Sequence, residues 1–201
     1  MAKEAKIGGV PKQRLDALTD GVFAFAMTLL VINLDLPAGA EVAGTDQLLS
    51  VLSNLQDNLL VYVISFVVLG ARWIRNARGH AVDVWCSYGY AWAVVTHLFF
   101  VTLIPFSTKL VGLYGNLWPA VCLYAANTIL AALSSRRAAD LLAAQEDVPG
   151  PRGGKLDLMV LIATALLSCV LAFVAPHLSM YAYLLNAATP LLHRLLSHDD
   201  A

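Results

Sequence analysis

An all-α integral membrane protein with six transmembrane helices per chain is what this sequence predicts, on three observations. The 201 residues are 59% hydrophobic and only 13% charged, against about 25% charge in a soluble domain. Apolar runs close to the ~20 residues that a spanning helix needs recur along the chain. Placing a crossing at each run collects nearly all basic residues on one side. The runs are long and unbroken and lack period-two alternation, which argues against a barrel of strands.

The elements follow in order. Residues 1–13 form a basic tail, and the first helix covers about 14–36, RLDALTDGVFAFAMTLLVINLDL. Asp16 and Asp20 stand where a cleaved signal peptide needs basic or apolar residues, so this helix is expected to remain. Residues 37–56 form a loop without Lys or Arg, whose second half, from Asp46, has helix-forming character with Thr45 as N-cap. The second span is about 57–75, followed by a basic connector from Asn76 to Asp83. The third span is about 84–107, with Pro105 near its end, and Lys109–Asn116 is expected as a tight turn. The fourth span, about 117–134, opens on Trp118 and Pro119. Residues 135–155 are the longest loop, helix-forming at first and Pro/Gly-rich at its end. The fifth span, about 156–175, and the sixth, about 178–196, are separated by Pro176 and His177. Residues 14–196 thus read as a single domain, with a short tail over 197–201. No internal repeat is visible, which disfavours a transporter built from inverted repeats.

With six crossings, both termini share one side. That side then holds Lys3, Lys6, Lys12, Arg14, Arg72, Arg75, Arg78, Arg136, Arg137, Arg152, Lys155 and Arg194, which leaves only Lys109 of the 13 basic residues outside. The asymmetry places both termini in the cytoplasm. The outer segments carry Asp35, Glu41, Asp46 and Asp57. They read either as a mouth that concentrates cations or as ordinary solvated loop charge.

Little points to covalent chemistry. There is no Gly-rich phosphate loop, HExxH, CxxC or nucleophile elbow. Cys86, Cys122 and Cys169 lie inside apolar segments without metal-ligand spacing, and read as core thiols. No metal site or cofactor is expected. His97, Asn127 and His193 occur singly in or near spans and read as hydrogen-bonded packing residues. Trp73, Trp85, Trp92 and Trp118 sit near predicted helix ends, as interfacial anchors do. The basic stretch from Arg72 to His80 fits topology and anionic lipid rather than nucleic acid. Val111-Gly112-Leu113-Tyr114-Gly115 looks like a carbonyl potassium filter with one residue inserted. The insertion breaks the register of stacked carbonyls that such a filter requires.

The first helix carries the unusual polar groups. A carboxylate near hydrocarbon costs roughly 2.5–3.5 kcal/mol, so Asp20 needs a partner or a job. At about 100° per residue, Gly21, Phe25, Leu29, Ile32 and Leu36 fall on one stripe with Thr28 on its shoulder, and Asp20 points about 140° from Phe25. In a monomer the stripe is core or lipid face; in a symmetric oligomer it could line an axis.

Arg14-Leu15-Asp16-Ala17-Leu18-Thr19-Asp20 resembles the R-x-x-x-F-S-D signature of the transmembrane protein 175 family of lysosomal and prokaryotic potassium channels. The likeness continues from Gly21 to Val31, and returns at Ser65-Phe66, Trp73 and Leu103–Thr108. The resemblance implies a prokaryotic, single-unit member that assembles as a homotetramer, with first helices lining a central pore. By position from Asp20, it implies an apolar constriction at Phe25, a hydroxyl ring at Thr28, and further lining by Leu29 and Ile32. It implies that Arg14, Thr19 and Asp20 form a structural network tying the pore helix to its neighbours. The chain departs from the family's pattern in three ways. Leu18-Thr19 replaces Phe-Ser, the constriction carries aromatic Phe25 instead of an aliphatic residue, and Asn76 and His97 stand where a histidine and an asparagine are expected.

An apolar constriction passes only ions that shed water there, which favours K⁺ over the more strongly hydrated Na⁺. The expectation is therefore a potassium-permeable channel of a prokaryotic plasma membrane, with lipid, potassium ions and three further copies of itself as partners and no nucleic acid. The alternative is a proton- or cation-coupled transporter that uses Asp20. A third class, a membrane-embedded enzyme, lacks enough convergent polar groups to name a reaction.

Overall fold

A computed structural model describes residues 9–34, 44–77, 85–146 and 154–188. The expected outer loop around Glu41, the basic connector at Arg78 and residues 189–201 lie outside the described residues.

The described chain is almost entirely helical. Strand β1 (Gly9–Pro11) leads into α1 (Lys12–Val31). Pro11 sits at the N-cap, where a missing N–H costs nothing. Helix α1 begins two residues earlier than expected and ends in a turn at Ile32 and Asn33. Helix α2 (Thr45–Asn54) buries none of its residues and has Gly44, not Thr45, at its N-cap. Helix α3 (Gln56–Ala77) follows, then β2 (Trp85–Ser87) and α4 (Tyr88–Thr102). Ser87 caps α4, its hydroxyl accepting from the Tyr90 amide at 3.3 Å.

Two expectations are corrected in this half. The last residues of the expected tail are ordered, because β1 pairs antiparallel with β2, Val10 facing Cys86. The side chain of Gln145 meets the other edge of β2, accepting from the Ser87 amide at 2.9 Å and donating to the Trp85 carbonyl. Both edges of this three-residue strand thus have partners. Helix also continues through the segment from Lys109 expected as a turn. The chain breaks at Leu103 and resumes as α5 (Ile104–Tyr114), with Pro105 in its first turn. Proline belongs there because the early N–H groups of a helix lack intrahelical acceptors. The turn falls instead at Gly115–Leu117.

Helix α6 (Trp118–Glu146) runs past its expected end, since Ala, Leu, Gln and Arg sustain helix and Arg136 pairs with Asp140 one turn on at 2.9 Å. Helix α7 (Gly154–Val174) is followed by a 3₁₀ helix over Pro176–Ala188. At about 2 Å per residue its 13 residues reach about 26 Å, further than the same number of α-helical residues.

Among the described residues, Gln56–Ala77, Tyr88–Tyr114 and Trp118–Gln145 are long and apolar enough to cross a membrane, and Leu158–Val174 is a shorter apolar helix. The core has two parts. One joins Leu15, Phe23, Ala26 and Leu30 of α1 to α4 and the start of α5. The other joins Val61, Ile64 and Val68 of α3 to α6, α7 and the 3₁₀ helix around Tyr124 and Tyr183. Helix α1 therefore docks by one face only, against α3, α4 and α5.

Candidate functional site

The 3.6-residue period splits α1 into two faces. Phe23, Ala26 and Leu30 are buried. Opposite them Phe25 is 72% exposed, Leu29 43% and Ile32 60%, and Thr28 is exposed beside them. The Thr28 hydroxyl donates to the Phe25 carbonyl at 2.9 Å, which leaves its oxygen lone pairs outward. The four residues assigned to the stripe thus lie together on the side of α1 that none of the described helices covers. Gly21 lies on that side too, with nothing near the place a Cβ would occupy.

Polar contacts hold both ends of the helix. At its start, buried Lys12 pairs with Asp16 at 2.7 Å. At its end, the Asn33 amide donates to the Pro105 carbonyl at 2.9 Å. Between them, Asp20 accepts a 2.8 Å hydrogen bond from Trp73 Nε1 of α3. The Thr19 hydroxyl donates back to Leu15 of its own helix at 2.8 Å. Arg14 is exposed and does not meet Asp20 within the chain. Six residues place the two about 240° and about 9 Å apart on a helix, too far for a direct pair. Within the chain the partner of Asp20 is Trp73, which is therefore more than an interfacial anchor.

The same end of α3 reaches two further helices. Arg72 is buried and donates through Nη2 to the Thr128 carbonyl of α6 at 2.7 Å, while Nε and Nη1 have no hydrogen-bond partner among the described residues. Asn76 lies 3.5 Å from His97 Nε2 of α4, and His97 Nδ1 lies 2.8 Å from the Ala131 carbonyl of α6. A carbonyl only accepts, so Nδ1 carries the proton and Nε2 accepts from Asn76. His97 also packs its ring 5.9 Å from that of Phe23. Arg72, Trp73 and Asn76 therefore tie α3 to α6, α1 and α4 respectively. The hydrogen-bonded packing role expected of His97 is what the structure shows, whereas Asn76 stands out in the sequence only as a departure from a pattern and the burial of Arg72 has no local signal.

A hydroxyl network fills the second core. Thr108 donates to Ser65 at 2.9 Å, and Ser65 lies 3.1 Å from the Tyr124 hydroxyl. Asn127 donates to Ser107 at 3.4 Å. These contacts join α3, α5 and α6 without a charged group. Among the described residues, no three His, Cys, Asp or Glu side chains converge as metal ligands would.

Known proteins resemble this arrangement in sequence and fold. Residues 14–105 match the model of a family described as the endosomal/lysosomal potassium channel TMEM175. A potassium channel of Chryseobacterium sp. (strain P1-3) is 27% identical over 123 residues, 61% of this chain and 60% of its own. A potassium channel of Chamaesiphon minutus is 31% identical over 101 residues, 50% of this chain and 49% of its own. The aligned part of this chain thus spans about half to three-fifths of those relatives. The crystal structure of a lysosomal potassium-selective channel TMEM175 homolog from Chamaesiphon minutus superposes with a TM-score of 0.72. It is 24% identical, and the match covers 89% of this chain and 96% of that one, a likeness of fold. Over residues 14–105 the chain is similar to the TMEM175 family, and its fold is like that of the Chamaesiphon minutus channel.

Proposed function

We propose that this chain is one subunit of a homotetrameric, potassium-permeable channel in a prokaryotic plasma membrane, with residues 14–196 crossing six times and both termini in the cytoplasm. Ions pass down their gradient along the stripe Phe25, Thr28, Leu29 and Ile32, brought to a common axis by four copies. Arg14, Thr19 and Asp20 belong to the structural network at the base of that helix.

The observation that carries this reading is the exposure of Phe25, 72% in the isolated chain. It sits on a helix whose other face is core and whose ends are held by Asp16, Trp73 and Pro105. An apolar ring at Phe25 admits an ion only after partial dehydration, which favours K⁺ over Na⁺ and favours a dewetted, closed state at rest. The Thr28 oxygens, one turn along, replace part of the lost water. The names of the relatives, potassium channels, support the same ion.

Purified protein in liposomes tests this directly. The expected result is K⁺ flux exceeding Na⁺ flux, from a particle that sizes as four chains in detergent. Equal, leak-level flux of both ions from a monodisperse protein overturns it. The transporter alternative makes Asp20 the coupling group. In the channel reading Asp20→Asn weakens a structural contact and leaves flux uncoupled from pH. In the transporter reading the same change leaves a well-folded protein whose transport no longer follows the proton gradient.

A further inference from the structure

The outer face of the α6–α7 pair brings two of the three cysteines together. The rings of Trp118 and Phe173 stack with centroids 5.3 Å apart and an interplanar angle of 23°, which sets the register of the two helices. One helical turn onward along α6 is Cys122, and one turn back along α7 is Cys169. A further turn brings the buried residues Ala125 and Ala165 into one cluster, against which Cys169 packs. Alanines at a helix crossing let the backbones approach closely. The Cys122 and Cys169 side chains are in hydrogen-bond contact, both as free thiols and both half-buried. Cys86, by contrast, is fully buried beside β1 in the other part of the core.

We infer that Cys122 and Cys169 form an oxidisable dithiol, a site at which a membrane-permeant two-electron oxidant of the quinone or azo class closes a disulfide between α6 and α7. Two S–H bonds break and one S–S bond forms. The two electrons and two protons pass to the oxidant, giving the hydroquinone or the hydrazine. Thiols already in contact need only approach each other to reach the ~2.05 Å bond length of a disulfide. The bond staples α7, and the 3₁₀ helix packed on it, to the rest of the bundle. It closes a loop that includes the whole α6–α7 connection, and cross-linking such a loop restricts the unfolded chain. Helix α1 packs on α3, α4 and α5, so the staple lies outside its immediate neighbours.

Diamide, an azo oxidant, tests this on the full-length protein in liposomes and in detergent. The expected product is a chain about 2 Da lighter, with one tryptic species linking the Cys122 and Cys169 peptides. Maleimide labelling at both positions disappears after oxidation and returns with dithiothreitol. Cys122→Ser and Cys169→Ser each abolish the mass change, while Cys86→Ser retains it. The oxidised protein unfolds at a higher temperature than the reduced one. Labelling of Cys122 and Cys169 that diamide leaves unchanged in both media overturns the inference. So does cross-linking between chains instead of within one.

Discussion

Trp73 on α3 donates its indole N–H to the Asp20 carboxylate on α1 at 2.8 Å, a contact between residues 53 positions apart in the chain. The bond is charge-assisted but exposed, so its net worth is about 1 kcal/mol instead of the larger figure for a buried pair. Trp73→Phe keeps most of the ring and removes the donor. Asp20→Asn keeps an acceptor and loses the charge. Thermal unfolding in detergent should show the larger drop for Trp73→Phe. A double-mutant cycle over the two positions should return a coupling of about 1 kcal/mol. A coupling indistinguishable from zero would mean that the contact holds nothing.

In the proposed channel, Phe25 and Thr28 separate folding from conduction. Neither side chain contributes to the core, so Phe25→Ala and Thr28→Val should leave the unfolding midpoint within a degree or two, as surface changes do. In reconstituted flux, Phe25→Ala should raise the total rate and lower the preference for K⁺ over Na⁺. Thr28→Val preserves shape and deletes the oxygen, so K⁺ flux should fall. Unchanged rate and reversal potential in both variants would remove this face from the ion path.

His97 is a packing residue with two jobs. It bonds the Ala131 carbonyl at 2.8 Å and backs the Phe23 ring. His97→Ala leaves a cavity against α1 and should cost about 2–4 kcal/mol in denaturant unfolding. His97→Asn, which retains a donor, should cost less than half of that. A loss under about 1 kcal/mol for the alanine variant would show that the site collapses without strain.

Gly9 is the position where backbone approach forbids a side chain. A Cβ there would lie 2.5 Å from the Cys86 carbonyl oxygen, so Gly9→Ala must push β1 off β2. Hydrogen exchange should then speed up at the amides of Val10 and Cys86, while helices α3 and α6 keep their protection. Equal protection in the variant and the parent would refute the tight pairing.

What could be read from the chain alone was local or additive. Apolar runs reveal themselves residue by residue, so the helices around Ile64, Val94 and Ala125 could be placed, and the 3.6 period grouped Phe25, Leu29 and Ile32. Contacts between distant residues left no such trace. Asp20 finds Trp73 because α1 and α3 pack side by side, and nothing within α1 encodes that. Arg72 was counted with the cytoplasmic charges by residue type, yet it lies buried against α6. Three-residue strands are too short to show alternation, so Gly9–Pro11 passed as tail. Pro105 has two meanings, helix stop or first turn, and only the break at Leu103 decides between them. The cysteines were read one at a time, and pairing Cys122 with Cys169 required the α6–α7 register.

The β1–β2 ladder has a mechanical meaning. It ties the entry of α1 to the entry of α4, while Asn33 fastens the far end of α1 to the start of α5. A helix fixed at both ends cannot act as a piston, since sliding by a single turn would break the ladder and the Asn33 bond together. It can still roll slightly or let its side chains swing. In the proposed channel, opening and closing along that free face reduce to rotamer changes at Phe25 or to rigid displacement of whole subunits, with α1 carried along as a fixed strut.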